Sequence, residues 1–149
     1  MPTRYSHTNI VAHDPERLAR FYTDVLDCPK VAERRIEGTW LSRAMGLPDA
    51  RLHVFHVRLP GCGDGDTPTI EIFGMDGLPE TPISTPRRPG LMHTAWVVDD
   101  VHASLDRLVA AGGEPLGEID GTTVEGVGSV QFVYARDPEG NIVELQEFV

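Results

Sequence analysis

The chain has 149 residues and carries 13 Lys and Arg against 23 Asp and Glu, a formal net charge of −10. That length suits one domain or two small modules fused into one. Its 40% apolar content can build a core, which excludes intrinsic disorder as a description of the whole. The acidic balance argues against nucleic-acid and polybasic-membrane partners, because phosphate binding needs clustered Lys and Arg.

No apolar run approaches the roughly 20 residues of a membrane span. The opening MPTRYSHTNIVAHD lacks the apolar stretch of a secretory signal. Cys28 and Cys62 are too few for a disulfide framework and fit a reducing compartment as free thiols. The expectation is a cytoplasmic protein acting on a small molecule, with no nucleic acid and no membrane.

In chain order, a short apolar strand over His7–Ala12 comes first. A helix follows over Pro15–Leu26: Asp14 is a good N-cap and Pro15 suits the first helical position. Leu18, Phe21, Tyr22, Val25 and Leu26 fall at i, i+3, i+4, i+7 and i+8, one buried stripe. Strand-like segments follow at Lys30–Arg35, Arg51–Leu59 and Thr69–Gly74. Between the first two, the segment Thr39–Ala50, with Trp40, Leu41, Met45 and Leu47, reads as an inserted short helix or lid. The Gly61–Asp66 stretch lacks the Lys and following helix of a phosphate loop and reads as a hairpin connection. Pro79, Pro82, Pro86 and Pro89 make Asp76–Gly90 an extended connector.

The second half opens on an apolar strand at His93–Val98. A helix over Val101–Ala111 starts after Asp99-Asp100 and ends at Gly112-Gly113 in C-cap style. Strand-like segments then lie at Glu114–Ile119, Val130–Ala135 and Asn141–Phe148, the last two joined by Arg136-Asp137-Pro138-Glu139-Gly140, a tight-turn composition.

The halves repeat. His7-Thr8-Asn9-Ile10-Val11-Ala12-His13-Asp14 aligns with His93-Thr94-Ala95-Trp96-Val97-Val98-Asp99-Asp100 at an offset of 86 residues, with His, Thr, Val and Asp coinciding. The predicted order is βαβββ, twice. The fold class is α+β, with modules at 1–75 and 91–149 joined by the connector 76–90.

Strand alternation assigns the faces. Ile10, Ala12, Trp96 and Val98 would pack on the helices, leaving His7, Asn9, Val11, His93, Ala95 and Val97 on the opposite face. Near the end of each module a carboxylate sits inside an apolar strand: Glu71 in Thr69-Ile70-Glu71-Ile72-Phe73 and Glu144 in Ile142-Val143-Glu144-Leu145-Gln146. Such a charge is rare unless it faces outward from a half-buried strand or is paired. If a pseudo-twofold relates the halves, His7, Glu71, His93 and Glu144 surround one point. Two imidazoles and two carboxylates suit Zn, Ni, Fe, Mn or Co and leave two adjacent octahedral positions for vicinal substrate oxygens. A lone strand histidine is more often a structural residue; the duplicated context favours ligation.

His53 and His56 sit three apart and must point to opposite faces, so only one can line a pocket. Asn9, Phe73 and Gln146 share the parity of the four ligand candidates. With His56, and Trp40 in the inserted segment, they are the candidate pocket residues.

The sequence resembles the vicinal oxygen chelate superfamily, the glyoxalase, bleomycin-resistance and extradiol-dioxygenase group, over nearly its whole length. The residues that carry the resemblance are His7, Glu71 in TIEIF, Leu91-Met92-His93-Thr94-Ala95, and the run Asp137-Pro138-Glu139-Gly140-Asn141-Ile142-Val143-Glu144. The resemblance implies paired βαβββ modules in an open, partly closed mixed β-sheet barrel, a metal at the four positions and often a homodimer. The His/Glu/His/Glu set is most similar to bacterial glyoxalase I. The epimerase branch generally has Gln where Glu71 stands, and the Thr39–Ala50 insertion and the Arg51–Leu59 strand depart from a compact glyoxalase I.

The leading expectation is a divalent-metal-dependent lyase or isomerase acting on a small carbonyl compound by proton transfer, with Glu144 or Glu71 as the base. Two alternatives stand beside it. One is an Fe(II) extradiol-type ring-cleavage dioxygenase using His7 or His93 with Glu144. The other is a non-catalytic drug- or metabolite-binding protein of the bleomycin-resistance type, whose members generally lack the full ligand set.

Overall fold

The computed structural model describes residues 3–63, 68–80 and 84–149. The chain divides into two compact units, Met1–Pro79 and Glu80–Val149. Among the described residues no helix is long and apolar enough to cross a membrane.

The first unit runs β1 (His7–Val11), α1 (Pro15–Val25), β2 (Lys30–Glu37), α2 (Thr39–Met45), β3 (Arg51–Arg58) and β4 (Thr69–Gly74). Its sheet has the order β1-β4-β3-β2. β1 runs parallel to β4, and the other neighbours are antiparallel. Asp14 caps α1 by accepting from the Arg17 amide at 3.0 Å, ahead of Pro15 at the helix start. The helix buries Leu18, Phe21, Tyr22 and Val25. It packs against β3 and β4, whose Phe55, Val57, Ile70 and Ile72 are all buried and share one face by register. That leaves His7, Asn9, His56, Glu71 and Phe73 on the other face, as their parity predicts.

The inserted segment forms the helix α2. Its Leu41 closes a second small core with Ala50, Leu52 and Val54, against which Ile36, Phe73 and Met75 pack. This covers the β4 end of the non-helix face beyond Glu71. Trp40 stays 58% exposed.

The second unit runs β5 (His93–Val97), α3 (Val101–Ala110), β6 (Glu114–Pro115), β7 (Asp120–Val124), β8 (Gly128–Arg136) and β9 (Ile142–Phe148). The sheet has the order β5-β9-β8-β6, with β7 also paired to β8. β5 runs parallel to β9, as β1 does to β4. Among the described residues neither sheet closes on itself. Asp100 accepts from the Ala103 amide at 2.9 Å, and Glu147 of β9 accepts from the Val101 amide at 2.9 Å, so the start of α3 is tied to the sheet. Val101, Ser104 and Leu108 face inward, and Trp96 is buried as expected for its parity.

The expected order is realised with two changes. The single strand foreseen at Glu114–Ile119 is only Glu114–Pro115, and a further strand, β7, forms a hairpin with β8 through the turn at Val124–Gly128. Every residue of β7 is exposed, so it carries no apolar alternation to reveal it. The parts of the connector at 76–80 and 84–90 hold neither strand nor helix. In the Gly61–Asp66 connection, Asp64, Gly65 and Asp66 lie outside the described residues.

Candidate metal centre

Glu71 sits in the middle of β4. In register it faces Asn9 on β1 and His56 on β3. His7 pairs with Thr69, two residues earlier on the same face, and lies diagonally beside the carboxylate. His7 Nε2 is 3.2 Å from Glu71 Oε2 and His56 Nε2 is 3.3 Å from Glu71 Oε1, so an imidazole stands at each oxygen. The Asn9 amide donates to the Glu71 backbone carbonyl at 2.9 Å, cross-linking β1 and β4 at this level.

The second unit repeats the relation. Glu144 faces Ala95 on β5 and Tyr134 on β8. His93 pairs with Ile142, two residues earlier, and its Nε2 is 3.0 Å from Glu144 Oε2. Here the cross-strand neighbour is a tyrosine. The Tyr134 phenol sits above its ordinary value, first because it is desolvated, then because of the Glu144 charge and its hydrogen bond to that carboxylate. The Tyr134 and His93 rings meet edge to face, centroids 5.2 Å apart.

The register that aligns Tyr134 with Glu144 is set by the intervening turn. Buried Asp137 accepts from the amides of Glu139 and Asn141 at 2.9 Å each, and from the Asn141 side chain at 2.9 and 3.2 Å. The Asp137 amide donates to the Asn141 carbonyl and the Gly140 amide to the Asp137 carbonyl. A bent segment tied at this many points holds the two strands in one pairing.

The other candidates are distributed as follows. Phe73, two residues beyond Glu71 on the same face, packs into the Leu41–Leu52–Val54 core. Gln146, two residues beyond Glu144, pairs with Val97 and Phe132 and is half-buried. Trp40 projects from α2 without joining that core. His53 is on the opposite face from His56, as the spacing requires, and meets Glu33 at 2.9 Å. Tyr134 is the residue sequence reasoning passed over. Its signal was available: it stands ten residues before Glu144, across a turn of known type.

Among the described residues no three His, Cys, Asp or Glu side chains form a metal-holding group; each unit offers a pair. Each pair, taken by itself, has the right bite for an ion. Two ligands each about 2.1 Å from a metal and at right angles lie about 3 Å apart, and the two N···O separations are 3.2 and 3.0 Å. His93 Nδ1 is buried with no hydrogen-bond partner among the described residues. Hydrogen bonding alone therefore does not explain this imidazole as a structural one.

A model of the Glyoxalase/Bleomycin resistance protein/Dioxygenase superfamily matches residues 4–145. The chain belongs to this superfamily. Solved structures agree on the fold. A glyoxalase family protein from Bacillus cereus superposes with a TM-score of 0.80 at 23% identity, covering 99% of this chain and 95% of that one. A glyoxalase I variant from Zea mays matches with a TM-score of 0.67 at 22% identity over 96% of this chain and 44% of that longer one. The fosfomycin resistance protein FosX from Listeria monocytogenes, in complex with Mn(II) and a dihydroxypropylphosphonic acid, gives 0.59 at 16% identity over 100% of this chain and 95% of that one. No curated protein matches the chain by sequence.

Proposed function

We propose that this superfamily member is a divalent-metal-dependent lyase or isomerase that moves a proton beside a carbonyl of a small substrate. His7, Glu71, His93 and Glu144 are its ligands, contributed to one ion by one chain or by two. The observation that supports this reading is the recurrence of one geometry: a histidine diagonal to a glutamate across a parallel strand pair, at 3.2 Å in one unit and 3.0 Å in the other. A lone pair of this kind is an ordinary strand contact, but its repetition at equivalent register is not required by either sheet.

When bound, the metal supplies Lewis-acid polarisation of two vicinal substrate oxygens. The chain supplies the rest. One of the two carboxylates, freed at its metal-side oxygen, would take the proton from the carbon beside the carbonyl and return it to the neighbouring carbon or to the other face of the same one. Phe73 and Val54, on the same face as Glu71, present an apolar wall that limits water beside it.

The test is proton exchange. The protein loaded in turn with Ni, Co, Zn and Mn is incubated in deuterium oxide with α-keto aldehyde–thiol adducts and acyl-CoA epimers. Metal-dependent exchange of the α-proton in at least one is expected. A loaded protein that exchanges none of them contradicts the reading.

One observation favours a second reading. Glu71 has an imidazole at each of its oxygens, His7 at Oε2 and His56 at Oε1, whereas Glu144 meets one imidazole. His7, His93 and Glu144 would then form a two-histidine, one-carboxylate set of the kind that suits Fe(II) and oxygen. Oxygen uptake with a catechol and Fe(II), absent with Zn or Ni, would distinguish it.

A further inference from the structure

We propose that Tyr134 and His56 are a matched pair of positioning residues, each holding one of the two ligand carboxylates from the directly opposite position on the neighbouring antiparallel strand. The inference rests on the metal-centre reading above and adds two residues to it.

The equivalence comes from register. His56 is the cross-strand partner of Glu71 on β3, and Tyr134 is the cross-strand partner of Glu144 on β8. Each glutamate thus has a histidine diagonal to it on its parallel neighbour and a hydrogen-bonding ring opposite it on its antiparallel neighbour. In the first unit His56 Nε2 reaches Oε1 while His7 reaches Oε2, so the two oxygens of Glu71 have separate partners. In the second, Tyr134 stands directly opposite Glu144, where its hydroxyl is the group able to donate to that carboxylate.

A ligating carboxylate has one oxygen for the metal and a second that must be fixed elsewhere, or the group rotates about its own axis. Both carboxylates are largely buried, at 15% and 9% side-chain exposure, so water is a poor substitute for a lost protein partner.

The two devices differ. Tyr134 also lies edge-on against the His93 ring, and Phe132 in turn lies edge-on against Tyr134. One side chain therefore orients both ligands of the second unit. His56 orients only the carboxylate.

The test uses the full chain and Co(II), whose visible bands report ligand geometry independently of activity. Tyr134→Phe keeps the ring and removes the hydroxyl. His56→Phe removes the donor, and His56→Gln restores an N–H near the original Nε2. Tyr134→Phe and His56→Phe should each weaken Co(II) binding by about 10–100-fold and shift the bands, and His56→Gln should recover most of both. The melting curve of each metal-free variant shows that it is folded; the His56 series decides the point by itself if Tyr134→Phe does not fold. Wild-type protein that binds Co(II), with variants within twofold of it and unchanged bands, overturns this inference and leaves the metal centre standing. Wild-type protein that binds no Co(II) overturns the metal centre and this inference with it.

Discussion

His93 and Glu144 lie on neighbouring parallel strands two register positions apart, with His93 Nε2 3.0 Å from Glu144 Oε2. The contact is diagonal, so it depends on both side chains leaning toward a shared point. Glu144 is 7% exposed in a strand whose Ile142, Val143 and Leu145 are buried. A carboxylate in such a place costs stability unless something balances its charge.

Glu144→Gln keeps the volume and removes the charge. It should lower turnover by about 100-fold or more, the scale of losing a positioned acid–base group, while the circular-dichroism spectrum and melting profile stay close to wild type. Retention of full activity would remove Glu144 from the chemistry.

Asp137 makes the β8–β9 turn by accepting four hydrogen bonds from Glu139 and Asn141. Asp137→Ala leaves those donors without their acceptor and should destabilise the protein by about 3 kcal/mol, since bonds to a charged group contribute about 1.5–3 kcal/mol each and are only partly additive. The denaturant midpoint should fall at unchanged slope. Metal affinity should fall with it, because the turn sets the register of Tyr134 against Glu144.

Cys28 is buried and Cys62 exposed. Burial, with a smaller contribution from nearby Asp27, pushes the Cys28 thiol up to about 12 from an ordinary 9.0. At pH 8 a thiol reagent should label one cysteine quickly, Cys62, and Cys28 only on unfolding. The same shift sets a pH dependence. Above pH 9.0 the unfolded chain loses the Cys28 proton while the folded chain keeps it, so this group's contribution to stability is full below pH 9.0 and lost as pH rises toward about 12. Cys28→Ser should flatten that alkaline decline; an identical decline would show that other groups govern it.

Much of this was legible in the sequence. The α1 stripe, the Asp14 cap and the repeat around His7 and His93 are local patterns, and the structure realises them. The parity argument also placed His56 apart from His53. What escaped depends on pairing between distant strands. β7 is wholly exposed and has no alternation to read. The strand ends shifted by a residue or two because pairing, not composition, terminates them: β2 runs on to Glu37, opposite Arg51. Tyr134 looks like any strand aromatic until the Asp137 turn brings it opposite Glu144. His56 was visible as a pocket residue, but its position at the second oxygen of Glu71 needed the β3–β4 register.

His7, Glu71, His93 and Glu144 are the proposed ligands of a divalent ion, contributed by one chain or by two. Equilibrium dialysis of the purified chain against Ni, Co, Zn and Mn, followed by elemental analysis, tests this assignment most directly, with each of His7→Ala, Glu71→Ala, His93→Ala and Glu144→Ala alongside the wild type. One ion per chain, lost or greatly weakened in all four variants, is the predicted result. No uptake by the wild type, or uptake that survives all four substitutions, would contradict it.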